Sequence, residues 1–230
     1  EHIIPVNRSE AEKEDPHPVY GQYMNNVIGQ AFRRDDVLET VIPAYMGLIK
    51  QGDDQLGRLF KHLEETGHMD DTMIVITSDH GDYLGDHGLL FKGGFHYQSL
   101  IKVPMLWHDP RQQQPSSIDT LCSTLDFAPT IMKLAGVPAY EGIQGVDISD
   151  LIAGSNPELS RERLLIEEDT YDIDIFGFEG QIRERTLMKD NYRISIFQGK
   201  DWGEIYDLEA DPLEMNNLWG DPEHQGLRNK

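Results

Sequence analysis

The sequence predicts an α/β protein in which a helix-flanked sheet is followed by a small antiparallel sheet. Three observations predict it. A helical period of apolar residues from Val37 to Leu63 leads into a short apolar run, Met73–Thr77. That run ends in Ser78-Asp79-His80-Gly81, which puts polar chemistry at the carboxyl end of a strand, where open α/β sheets hold their sites. From about residue 156 the helical period gives way to short strand-like runs separated by turns. The expected division is residues 1–155 for the main α/β domain and 156–230 for a small α+β subdomain.

Each element has its own signal. Residues 1–34 are rich in charge, Pro and Gly, and read as a surface connection with Tyr20, Tyr23 and Phe32 as anchors. Val37, Leu38, Val41, Ile42, Tyr45, Met46 and Ile49 share a helical face, continued by Leu56, Leu59, Phe60 and Leu63. Pro43 should start a new helix or kink this one, and Gly67 should stop it. Met73–Thr77 reads as a buried strand of a parallel or mixed sheet. Residues 81–100, dense in glycine, read as an irregular loop on the side of the site. Val103–Trp107 is a second buried strand, with Pro104 at its start or on an edge. Thr124–Ala135 is an amphipathic helix with Pro129 in its first turns and Gly136 at its end. Residues 140–158 read as a connection. Leu164–Ile166, Thr186–Lys189, Tyr192–Phe197 and Glu204–Leu208 are the strands of the small sheet, with Asp190-Asn191 as a turn.

Composition narrows the function. The 230 residues are 38% hydrophobic, enough for a packed core. A formal charge of -21 and a pI near 4.6 disfavour nucleic acid and anionic membrane as partners. Any anion site must therefore be locally positive, through a metal, Lys or His. No stretch approaches the length of a membrane span. Cys122 is the one cysteine, so no internal disulfide forms. The sequence starts at Glu1 rather than Met, and compartment and oligomeric state stay open. Asn7-Arg8-Ser9 is a glycosylation sequon of a kind that arises often by chance.

Asp79 and His80 are the candidate metal ligands. A carboxylate and a neutral imidazole, adjacent at the end of a strand, can both turn toward one hard or borderline cation. Gly81 would allow the sharp backbone turn after them. Asp82, Asp86 and His87 read mainly as hydrogen-bonding residues that shape the loop; His80 and His87, seven apart, lack a helical zinc spacing. His108-Asp109-Pro110 is ordinary turn chemistry. The acidic stretch from Glu167 to Asp174 lacks the glycine of a calcium-binding loop and reads as a solvated face.

The run Thr77-Ser78-Asp79-His80-Gly81-Asp82-Tyr83-Leu84-Gly85-Asp86-His87-Gly88-Leu89 resembles the sulfatase family. So does Lys92-Gly93-Gly94-Phe95-His96-Tyr97, followed by Ile101-Lys102-Val103-Pro104. Three further pieces fall in the family's order: Gly52 to Gly57 leading to Leu63–Gly67, Thr124–Thr130 leading to Leu134-Ala135-Gly136, and Ile205–Pro212 with Glu214 and Asn216-Asn217-Leu218 after it. The resemblance implies an alkaline-phosphatase-like fold: a mixed sheet sandwiched by helices, then a small antiparallel sheet. It implies hydrolysis of a small sulfate ester, an aryl, alkyl or sugar sulfate. It also implies a divalent cation, usually Ca²⁺ and in some relatives Mn²⁺, held here by Asp79 and His80. Lys92 matches the family lysine that grips the sulfate and the leaving-group oxygen, where an ammonium stabilises charge appearing in the transition state. His96 either binds a sulfate oxygen or protonates the leaving group, or packs between Phe95 and Tyr97.

The sequence also departs from the family. The nucleophile there is a formylglycine made from a Cys/Ser-x-Pro-x-Arg motif, and no such motif occurs here. Cys122 is followed by Ser123-Thr124-Leu125 and reads as a core residue. The formylglycine and the other metal carboxylates are expected in a missing N-terminal segment, and this chain alone is expected to be inactive. Two rival readings remain: a phosphonate monoester hydrolase or phosphodiesterase of the same superfamily, and a non-catalytic binding module.

Overall fold

The computed structural model describes residues 7–14, 17–25, 27–32, 34–112, 115–155, 161–170 and 182–229. The chain forms two compact units: residues 1–61, 80–103 and 165–230 make the larger, and residues 62–79 and 104–164 the smaller.

The larger unit begins with three short helices, α1 (Glu10–Glu14), α2 (Pro18–Asn25) and α3 (Val27–Phe32). The expected surface connection is therefore helical in large part. Tyr20 and Tyr23, three residues apart, share one face of α2 and enter a core with Leu38, Ile42, Tyr83, Leu89, Leu90, Phe95 and Tyr97. Phe32 has its side chain outside the described set. Helix α4 (Asp35–Glu65) continues through Pro43, which therefore does not start a new helix. Pro43 and its neighbour one turn back, Glu39, are both exposed, so water can take the place of the hydrogen bond that proline cannot give. The helix ends as the sequence predicts. Gly67 adopts φ 74°, and the N–H groups of Gly67 and His68 bond back to the carbonyls of Glu64 and Leu63 at 3.1 and 2.8 Å.

Residues 81–100 are irregular, as expected, but densely packed. Tyr83, Leu89, Leu90, Phe95 and Tyr97 are each at most 3% exposed. The segment ends in the short helix α5 (Gln98–Ile101). The small sheet holds four strands, β3 (Arg163–Thr170), β4 (Ile182–Lys189), β5 (Tyr192–Phe197) and β6 (Gly203–Asp207), hydrogen-bonded in chain order. β4 and β5 pair antiparallel across Asp190-Asn191, whose φ values of 49° and 63° suit a tight two-residue hairpin. Thr186 faces Ser195, and Ser195 faces Glu204, so the three share one face of the sheet.

In the smaller unit, β1 (Ile74–Thr77) pairs antiparallel with β2 (Met105–His108). Val75, Thr77, Met105 and Trp107 lie on one face, where Met105 and Trp107 pack against Ile148, Leu151 and Ile152 together with Cys122. Ile74, Ile76 and Leu106 lie on the other face, and Leu106 is 58% exposed. The strands read as buried are therefore at most half-buried among the described residues, with Thr77, Leu106 and His108 exposed. Helix α6 (Phe127–Leu134) follows a 3₁₀ turn at Thr124–Asp126 and ends at Gly136, φ 70°. The expected connection at 140–158 contains a further helix, α7 (Ser149–Ile152), which supplies the core of this unit.

Candidate active site

The Asp79–His80 peptide follows β1 and is also where the chain passes from the smaller unit to the larger. The Asp79 side chain is on an exposed residue, with Ser78 Oγ donating to its Oδ1 at 3.3 Å. His80 is half-buried, and its Nδ1 lies 2.7 Å from the carbonyl of Gly81. A donor at Nδ1 fixes the tautomer and leaves the lone pair at Nε2, as in histidines that ligate metals. Gly81 plays a different part from the sharp turn expected of it. It is not among the glycines of positive φ; a Cβ there would stand 1.9 Å from the carbonyl oxygen of Ser99. Its N–H donates to Leu100 O at 2.7 Å. The glycine is required for close approach of two backbones, and that approach anchors the start of the loop to its end.

Within the loop, Asp82 Oδ1 accepts from the N–H of Leu84 at 2.8 Å, which holds Leu84 at φ 48°. Burial pushes the Asp82 and Asp86 carboxyls above their ordinary range. His87 is 2% exposed, stacks on Tyr97 at 3.6 Å between ring centres, and meets Glu12 at 2.6 Å. Its N–H donates to Asn7 O at 2.8 Å. These residues shape the loop, as the sequence suggests.

Lys92 is exposed and follows Phe91, which holds φ 62°. His96 is 4% exposed; its Nδ1 lies 2.8 Å from Thr186 Oγ1 and 3.4 Å from Glu184 Oε1. Burial first, and the Arg193 guanidinium second, lower its pKa to about 4, so the ring is neutral at pH 7. The structure thus keeps Lys92 in solvent and puts His96 into the core four residues later.

A cluster that the sequence did not signal surrounds His96. Arg193, Glu184 and Glu204 are fully buried, and Glu214 is 3% exposed. Arg193 donates to Glu204 Oε2 at 2.8 Å, to Ser195 Oγ at 2.9 Å and to Glu214. Its guanidinium also stacks over Tyr206 and Tyr97, 4.7 and 5.1 Å from the ring centres. Glu214 Oε2 in turn accepts from the N–H of Gln98 at 2.7 Å, at the start of α5. The run Ile182–Lys189 carries charges on both faces, so alternation alone does not tell which face is inside.

Two family models match the chain: Sulfatase over residues 11–137, and N-sulphoglucosamine sulphohydrolase, C-terminal, over residues 85–230. An N-acetylglucosamine-6-O-sulfatase of Bacteroides thetaiotaomicron is 32% identical over 183 residues, covering 78% of this chain and 32% of that protein. The solved structure of a 2-O GAG sulfatase superposes with a TM-score of 0.84 at 25% identity, over 98% of this chain and 49% of the other. A phosphonate monoester hydrolase of Agrobacterium radiobacter superposes with a TM-score of 0.71 at 28% identity, over 84% and 40%. The chain spans less than half the length of the curated relatives it matches. The motifs from Asp79 to Lys92, the α/β elements that carry them and these matches agree, and the chain belongs to the sulfatase family of the alkaline phosphatase superfamily.

Proposed function

We propose that this chain is part of a sulfuric ester hydrolase that cleaves a small sulfated substrate with the help of a divalent cation, Ca²⁺ or Mn²⁺. The observation that carries the reading is the order Asp79-His80-Gly81 at the end of β1, then the closed loop, then exposed Lys92. An exposed carboxylate and an imidazole anchored at Nδ1 are fitting donors for such an ion. They are two ligands, whereas Ca²⁺ takes six to eight oxygens. Among the described residues no group of three or more His, Cys, Asp and Glu side chains could hold a metal. The remaining ligands are therefore assigned to further chain of the complete protein, together with the nucleophile, a formylglycine in this family.

When bound, the cation supplies positive charge against the anionic ester oxygens. Asp79 and His80 orient that charge. Lys92, exposed in this structure, would bring its ammonium to the departing oxygen and stabilise the negative charge that grows there as the ester bond breaks. His96 enters in its packing role. A buried neutral ring bonded to Thr186 is a poor proton donor to a substrate, and it instead fastens the Lys92 loop to β4.

Because two of the matched proteins are by name sulfatases of sugars, a sugar sulfate is the substrate class to test first. The match to a phosphonate monoester hydrolase favours a second reading in which the same residues serve a phosphonate or phosphodiester. Turnover of an aryl sulfate, a glucosamine sulfate and an aryl phosphonate monoester by the full-length protein separates them. The sulfatase reading expects the highest kcat/KM on a sulfate. Faster turnover of the phosphonate would transfer the assignment to the second reading, and no hydrolysis of any of the three would leave a binding module.

A further inference from the structure

Lys92 is exposed, and an exposed lysine keeps most of its rotamer freedom, so its aim depends on the backbone beneath it. One residue of the same loop fixes that backbone. Tyr83 is 1% exposed. Its N–H donates to the carbonyl of Phe91 at 3.0 Å. Its hydroxyl donates to the carbonyl of Phe95 at 2.7 Å, and the carbonyl of Gly93, at 3.2 Å, shares the same proton. Carbonyls at three alternate positions thus rest on one tyrosine, and Lys92 lies between the first two.

The backbone at Phe91 needs such a hold. It takes φ 62°, a conformation that is unfavourable for a bulky aromatic residue and persists only where the surroundings impose it. Phe91 is 55% exposed, whereas Leu89 and Leu90 before it are fully buried, so backbone bonds rather than burial of its ring carry the constraint. Its carbonyl is taken by Tyr83, and its N–H faces the Asp82 carboxyl, which also accepts from Leu84 N–H at 2.8 Å. Burial, with the charge of Glu184 adding to it, pushes the Tyr83 hydroxyl well above its ordinary range, so it remains a donor at neutral pH.

We propose that Tyr83 is a positioning residue of the hydrolytic site: by holding the backbone on both sides of Lys92, it sets where the ammonium meets the departing oxygen. The proposal rests on the sulfatase reading of Lys92. Tyr83 stands three residues after His80, so one short stretch carries both a metal ligand and the hold on the lysine. The competing role is that of a core tyrosine serving the fold alone, since its ring belongs to the apolar core with Tyr20, Tyr23 and Phe95. Leaving-group dependence separates the two. An ammonium beside the departing oxygen matters most when that oxygen is strongly basic, as in an alkyl or sugar sulfate, and least when the leaving phenol is acidic.

Full-length wild type, Tyr83→Phe, Lys92→Ala and the double variant are compared on an alkyl sulfate and on nitrophenyl sulfate. Tyr83→Phe keeps the ring and the N–H bond and removes only the hydroxyl. It should lose about tenfold or more in kcat on the alkyl ester, within the range expected of a misplaced reacting group, and about threefold or less on the nitrophenyl ester. In the Lys92→Ala background the same change should cost nothing further on either ester. Equal losses on the two esters, no loss on either, or an undiminished loss on top of Lys92→Ala would overturn the proposal and leave the sulfatase reading standing. A wild type that hydrolyses neither ester would overturn that reading and this proposal with it. A measurement on the wild type alone guards against a variant that folds poorly: hydrogen exchange of the Tyr83 amide. Exchange as slow as that of the buried core supports the hold on Phe91, and exchange at the rate of an exposed amide overturns it.

Discussion

Arg193 shows how much of this fold rests on single residues. It is fully buried, joins β5 to Glu204 on β6 and to Glu214 beyond it, and through Glu214 reaches the first N–H of α5. Removing a guanidinium leaves two carboxylates unpaired in the interior, which is costlier than never having built the pair. Arg193→Met should lower the stability measured by urea unfolding at pH 7 by about 3–5 kcal/mol. The loss should be smaller at pH 5. Without Arg193 the folded pKa of Glu204 rises, so the variant's stability must fall as pH climbs. An equal loss at both pH values would mean that packing rather than charge is what Arg193 supplies.

Among the elements, the loop from His80 to Val103 depends most on backbone approach. Its two ends are held by the Gly81 N–H to Leu100 carbonyl bond, and a side chain at residue 81 would collide with Ser99 O. Gly81→Ala should cost about 1–3 kcal/mol, the usual range for overpacking, read as a fall in the thermal midpoint. A variant as stable as the wild type would show that the contact between the two backbones is dispensable. The sequence could point to this glycine only through its place after Asp-His, because close approach between residues 81 and 99 leaves no periodic trace. The same holds for Pro43. A proline in a helical period is an ordinary break signal, and its exposed position, which makes it tolerable, is a tertiary fact. The signals that did carry through are local ones. Gly67 and Gly136 stop helices by their positive φ, and Asp190-Asn191 turns the β4–β5 hairpin by the same conformation.

For the molecule as a whole, the family and the α/β class were legible because they are written in ordered local motifs: Asp79-His80-Gly81, Lys92-Gly93-Gly94-Phe95-His96-Tyr97, and Thr124–Thr130. The environment of the candidate residues was not legible. His96 sits two positions from Gly94 in a polar motif, yet it is buried because the small sheet, about 90 residues later in sequence, covers it at Thr186. The exposed Leu106 of β2, and the exposed Leu48, Ile49 and Leu59 of α4, accord with the proposal that a complete enzyme has further chain to cover them. No described helix is long and apolar enough to cross a membrane.

The central claim is that Asp79 and His80 help to hold a divalent cation next to the oxygen that Lys92 stabilises. It is tested most directly by measuring bound metal and sulfate-ester turnover together, on full-length protein, for the wild type, Asp79→Asn and Lys92→Ala. Asp79→Asn should lose bound Ca²⁺ or Mn²⁺ and about a hundredfold or more in kcat, while Lys92→Ala should keep the metal and lose turnover by a similar factor. Wild-type protein that binds no divalent ion, or an Asp79→Asn protein that retains both its metal and its rate, would contradict the account.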